Sequence, residues 1–238
     1  QDEPHVVWAH PDLALKTNHH SFPDDPYVGD QWHLENLGQE GRLPGIDMNV
    51  ETAWQITSGT GQLIAILDTG VDLTHPDLVV TSGYDYIGQD DDSSPDREAD
   101  DDGYPHGTAS AGLAAARGFN GEGIAGVAHG ADIYAIRMLG DYLESSDIYT
   151  AIVEAADAGA AVLSNSWGIE DGCEGYPLVA SMEDAFNYLE RDARGGLGAV
   201  FVQSAGNSGC DFTPNQQASH KAVISVGAVN ADDQREWY

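Results

Sequence analysis

Leu63-Ile64-Ala65-Ile66-Leu67-Asp68-Thr69-Gly70 decides the fold. A short apolar run ends in a carboxylate and a glycine turn. A run of this length is too short for a buried helix and suits a strand covered on both faces, as in a parallel sheet. Downstream, strands and helices alternate. His106 to Ala116 is small and alanine-rich, which predicts a buried helix. Ala131 to Leu139 reads as a strand. Ser145 to Ala158 reads as a helix with Ser145 or Ser146 as cap and Ile148, Ile152, Val153 and Ala156 on one face. Ala161 to Ser164 is a strand, and Leu178 to Arg194 is an amphipathic helix stopped by Gly195-Gly196. Ala199 to Gln203 and Ala222 to Val229 are further strands. This order implies an α/β fold with a mostly parallel sheet and helices on both faces. Upstream, residues 1–48 read as extended, because Pro4, Pro11, Pro23, Pro26 and Pro44 interrupt any helix.

The 238 residues carry 9 Lys+Arg against 40 Asp+Glu, a net charge of −31. A chain so acidic is repelled by nucleic acid and by anionic membrane surfaces, so neither is an expected partner. Hydrophobic residues make up 41%, enough to build a core despite the charge. No apolar run approaches the ~20 residues of a membrane span. Gln1-Asp2-Glu3-Pro4 lacks the basic start and apolar core of a signal peptide, which leaves a cytoplasmic chain or a processed secreted one. Cys173 and Cys210 lack metal-site spacing. They are either a disulfide, worth about 4 kcal/mol in the chain-entropy model, or two core thiols.

In open α/β sheets ligands bind beyond the carboxyl ends of the strands. There the chain places Asp68-Thr69-Gly70, then Ser164 to Gly168, then Ser204 to Gly209, with His106-Gly107-Thr108 opening a helix. An Asp, a His and an Asn therefore converge among glycines. An Asp–His pair is the orienting half of a nucleophilic triad: the carboxylate fixes the imidazole, which takes a proton from a hydroxyl. An Asn amide beside a tight turn donates to the oxyanion of a tetrahedral intermediate. A glycine-ended strand such as Ser164–Gly168 can pair with an extended peptide.

Together these segments resemble the subtilisin-like serine proteases, or subtilases. Ile66 to Asp72, with His75-Pro76-Asp77-Leu78, is similar to the family's aspartate motif. His106-Gly107-Thr108 with Ala111-Gly112 is similar to its histidine motif. Ser164-Asn165-Ser166-Trp167-Gly168 resembles its substrate-binding strand, and Ala205-Gly206-Asn207 its oxyanion segment. The resemblance implies a three-layer subtilisin-like fold and a secreted serine endopeptidase, made as a zymogen, acting on peptide or protein substrates. Asp68 would orient His106, His106 would be the general base and Asn207 would hold the oxyanion. Within the family, Asp30 to Asn36, Ile136 to Leu139, Ser166 to Asp171 and Gly195 to Phe201 resemble the kexin/furin branch and related bacterial enzymes. There Asp171 would help form a pocket for a basic residue, or it is a solvated loop acid. That branch usually carries a second Asp after the catalytic one, where this chain has Thr69.

The family also implies a Ca²⁺ site: the carboxylates of Asp25 and Asp77, the Asn120 side chain, and the carbonyls of Arg117, Glu122 and Ile124, an oxygen-only set that suits this ion. The acidic loop 90–102 reads as a solvated charge run, with a second cation site as the alternative. Val6 to Asp12 resembles the last strand of a bacterial subtilase propeptide, so residues 1–18 are expected to be a propeptide remnant or arm and residues 19–238 the larger N-terminal part of the peptidase domain. The family's Gly-Thr-Ser-x-Ala segment, which carries the nucleophile, has no counterpart here. The favoured expectation is a companion chain or cleaved segment carrying that serine. The alternatives are an inactive fragment and a non-catalytic peptide-binding pseudoprotease. In each case the C-terminal part of the fold is expected to lie outside this chain.

Overall fold

The computed structural model describes residues 22–95, 105–140, 144–168, 178–209 and 217–236. The possible propeptide remnant, Asp171, both cysteines and part of the acidic loop lie outside the described residues.

The predicted alternation is present. After two single 3₁₀ turns, Val28–Asp30 and Gln39–Gly41, the chain forms α1 (Val50–Trp54), β1 (Leu63–Asp68), β2 (Val80–Asp85), α2 (His106–Ala115), β3 (Asp132–Arg137), α3 (Ser145–Asp157), β4 (Val162–Asn165), α4 (Ala180–Arg191), β5 (Val200–Ser204) and β6 (Val223–Val226). The sheet has six strands in the order β2-β3-β1-β4-β5-β6, with every neighbouring pair parallel.

The period of two along β1 and β3 sorts the core into two layers. Ala65, Leu67 and Ile136 face α3 and α4, where Ile148, Ile152, Phe186 and Leu189 complete a buried cluster. Ile66, Ile133 and Ala135 point the other way, onto Ala111 and Ala115 of α2. The alanine-rich α2 therefore lies close to the sheet, which brings the polar residues of its first turn to the end of β1.

Three local expectations differ from what is found, and one strand is unexpected. Glu144 occupies the N-cap of α3, and Ser145 is already helical and makes no capping bond. The helix beginning in the Leu178 region ends at Arg191, because Arg194 (φ 54°) and Gly195 (φ 68°) turn left-handed. β6 is four residues long, shorter than its apolar run. β2 is a strand that the pattern does not reveal, since Val80-Thr-Ser-Gly-Tyr-Asp85 mixes polar and apolar residues as an edge strand does. Its glycine has a packing reason: a Cβ on Gly83 would lie 2.7 Å from the carbonyl oxygen of Ala135 on β3.

Candidate active site

β1 carries Asp68 to the carboxyl edge of the sheet, where the residue is fully buried. Burying a carboxylate is costly unless donors reach it. Three do. Oδ1 accepts the Thr69 backbone N–H at 2.7 Å and lies 2.6 Å from His106 Nδ1, while Ser110 Oγ donates to Oδ2 at 3.4 Å. A carboxylate only accepts, so Nδ1 carries the proton and Nε2 is the basic nitrogen of the neutral ring. The His106 side chain is 52% exposed, and the Asp68 contact fixes its ring through Nδ1.

The residues after His106 explain why the pair can form. A Cβ on Gly107 would sit 2.3 Å from the Gly70 carbonyl oxygen and 3.0 Å from Asp68 Cβ. Only glycine lets the helix start approach the strand end this closely. Gly70 itself has φ 105° and packs on the backbone of Ser93 to Pro95. Two threonines then tie the elements together: the Gly107 N–H donates to Thr69 Oγ1 (3.2 Å), and the Asp72 N–H to Thr108 Oγ1 (2.9 Å). Ser110, on the same helix, is a donor to Asp68 that sequence reasoning missed. Its position one turn after His106 was the available signal.

The other predicted residues lie along the same edge. Register pairs Ile66 with Ser164 and Ser164 with Val202. Asp68, Ser166 and Ser204 therefore leave the sheet at one level, across a width of roughly 10 Å. Ser166 and Gly168 are exposed, whereas Trp167 is buried and its carbonyl accepts from Gln203 Nε2 (3.2 Å) and Ser204 Oγ (3.3 Å). Ser164, in β4, is partly buried. Asn165 points inward, 2% exposed, and its amide donates to the carbonyls of Leu163 and Val202. It holds β4 to β5 and does not face outward. Beyond β5, the Ala205 N–H donates to the Val226 carbonyl (2.8 Å), Gly206 turns with φ 76°, and Asn207 is exposed.

The predicted calcium residues meet at one loop. Asp25 and Asp77 are 3% and 2% exposed. Asp25 Oδ1 accepts from the N–H groups of Asn120 and Gly121, at 3.0 and 2.9 Å, and its Oδ2 from Phe119 at 2.8 Å. Asp77 accepts the Asn120 side-chain amide at 2.7 Å and the Ile124 N–H at 3.0 Å. The Arg117 N–H donates to the Asp77 carbonyl (2.9 Å), and the Glu122 N–H to Asn120 Oδ1 (2.8 Å). Two buried carboxylates converging on the Asn120 loop supply the oxygen donors a hard cation takes. As they stand, loop N–H groups engage the carboxylate oxygens, and no cluster of three or more His, Cys, Asp or Glu side chains suited to a metal occurs among the described residues.

A buried Asp68 paired with His106 at the carboxyl edge of a parallel sheet, with the matching family model over residues 59–237, settles the relationship. This chain belongs to the subtilase family. It is 34% identical, over its whole length, to a calcium-dependent protease of Trichormus variabilis, and covers 36% of that protein. It is 42% identical over 76% of its length to a thermophilic serine proteinase of a Bacillus species, of which it covers 42%. Among solved structures, a protease of Pseudoalteromonas arctica superposes with a TM-score of 0.72 at 30% identity, covering 92% of this chain and 69% of that one. The chain thus spans less than half the length of these two sequence relatives.

Proposed function

We propose that this chain is the larger part of a subtilisin-type serine endopeptidase domain. The observation that carries the reading is the 2.6 Å contact between buried Asp68 and His106 Nδ1. Asp68 holds the imidazole with Nε2 basic and stabilises the imidazolium that forms when His106 takes the serine proton. A serine outside these 238 residues attacks the peptide carbonyl, and Asn207 donates to the resulting oxyanion. Ser166 and Gly168, with their strand anchored by the Trp167 carbonyl, align the substrate backbone. Residues 19–238 belong to the peptidase domain, residues 1–18 are a propeptide remnant or an N-terminal arm, and the enzyme works outside the cell or in the periplasm. Among the described residues no helix is long and apolar enough to cross a membrane.

Asp25, Asp77, Asn120 and the carbonyls of Arg117, Glu122 and Ile124 would hold Ca²⁺, which supplies charge compensation to two buried acids and no step of the chemistry. Removing it with a chelator is expected to lower the melting temperature, since an ion present at a hundredfold excess over its Kd stabilises by about 2.7 kcal/mol. An unchanged melting temperature refutes the site.

The deciding experiment is a fluorophosphonate probe on the natural material, followed by intact mass under denaturing conditions. The expected result is a label on a serine outside residues 1–238, in a continuous or companion polypeptide. An active preparation in which no serine takes the probe overturns the serine-protease reading.

A further inference from the structure

A second polar site lies on the α3 face of the sheet, beside edge strand β2. It shares no residue with the Asp68–His106 edge. At its centre is Glu154 of α3. Glu154 Oε1 accepts the Tyr84 backbone N–H at 3.0 Å and the Tyr134 hydroxyl at 2.9 Å, and Oε2 accepts the Tyr86 hydroxyl at 2.8 Å. The Tyr84 and Tyr86 rings meet edge to face, their centroids 5.0 Å apart. These groups, with Asp91 and Thr150, line a cavity of about 440 Å³.

The hydrogen bonding leaves a defined vacancy. A carboxylate offers about four acceptor positions, and Glu154 uses three of them. The open one is on Oε2. Both tyrosine hydroxyls spend their only hydrogen on Glu154, so their oxygens remain acceptors. Burial, and then the bond to Glu154, pushes the Tyr134 hydroxyl up to about 12 and raises Tyr86 as well, which keeps both hydroxyls protonated as donors. Asp91 adds a second negative charge. Among the described residues no ion pair joins Glu154 or Asp91 to a basic side chain. Two acids, three aromatic rings and a surplus of acceptors in one recess favour a cation that can both stack and donate.

We propose that this recess binds a guanidinium group, as presented by an arginine side chain. The planar cation would donate to Glu154 Oε2 and lie against tyrosine rings. A quaternary ammonium would gain only the second of these, and a neutral urea neither the charge nor the stacking attraction.

The test is calorimetric titration of the purified chain with arginine amide, with citrulline amide and tetramethylammonium as controls. It is run in about 0.5 M NaCl, where the Debye length falls to roughly 4 Å and the acidic surface attracts cations only weakly. Arginine amide is expected to bind at one site, at least tenfold more tightly than either control. Glu154→Gln, which removes the charge and keeps the shape, should weaken it about tenfold, and Tyr86→Phe by a smaller factor. Glu51→Gln on the exposed face of α1 should leave it unchanged. Equal binding of citrulline amide, equal loss in the Glu51 variant, or no saturable binding overturns the proposal. Should Glu154→Gln fail to fold, the arginine–citrulline comparison on the unaltered chain decides alone.

Discussion

The two halves of the carboxyl edge of the sheet are built differently. Around β1 and α2 every element has its partner. Asp68 receives three donors, Gly107 abuts Gly70, and Ala111 and Ala115 are buried against the sheet. Around β4, β5 and β6 the accounts stay open. Among the described residues, Asn165 Oδ1, Trp167 Nε1, Gln203 Oε1 and both amide atoms of Gln217 are buried without a hydrogen-bond partner. Ile224 and Val226 of β6 are 54% and 52% exposed. Each unpaired buried polar group costs about 1–3 kcal/mol, and exposed apolar strand residues are a characteristic of a surface that something else covers. The first half is closed by contacts within the chain; the second is where the proposed serine-bearing segment would pack.

The largest expected effect lies in the closed half. His106→Ala in the active enzyme should lower kcat/KM by about 10⁴-fold or more, because nucleophile and base act as one unit. The protein should stay folded with a modest fall in melting temperature, because Asp68 loses one donor and keeps those of Thr69 and Ser110. Peptide cleavage at an undiminished rate removes His106 from the mechanism.

Asn207→Ala comes next. Losing one oxyanion donor costs about 10²–10³-fold in kcat with little change in KM. An equal loss in KM alone would mean that Asn207 binds substrate and does not stabilise the transition state. The exposed setting of Asn207 makes this a sharp test, because no core contact confuses the reading.

How far the sequence reveals these two halves differs for the same reason. β1, β3, β4 and β5 are legible because strands covered on both faces are almost wholly apolar, and Leu63–Leu67 has no other reading. The approach of α2 is legible in His106-Gly107-Thr108, since that glycine is required by contact. β2 is not legible: an edge strand has one partner and tolerates Thr81, Ser82 and Gly83. Ser110 as a donor to Asp68 is legible only through its place one turn after His106, because a serine in a helix otherwise carries no mark of what lies beneath it. The inward turn of Asn165 is equally hidden, since alternation gives the period of a strand but not which face a polar residue takes.

Gly107→Ala tests the closed half through packing. With a Cβ 2.3 Å from a backbone oxygen, strand and helix must separate, at a cost of about 3 kcal/mol. Gly168→Ala is the matched control in the open half: a Cβ there meets nothing within 4 Å. Urea midpoints should fall for the first and stay within error for the second. If both fall alike, the contrast between the halves is wrong.

The smallest effect is the most discriminating. Ile224→Ser replaces an exposed apolar side chain on β6. In the isolated chain it should change stability by no more than about 0.5 kcal/mol, as surface substitutions do. In the active enzyme the same side chain would be covered by the serine-bearing segment, and burial of an isoleucine is worth about 1.5–3 kcal/mol. The substitution should therefore lower the melting temperature of the complete enzyme while leaving that of the 238-residue chain alone. Equal, negligible effects in both would show that β6 is a true outer edge, and the open half would then need a different occupant.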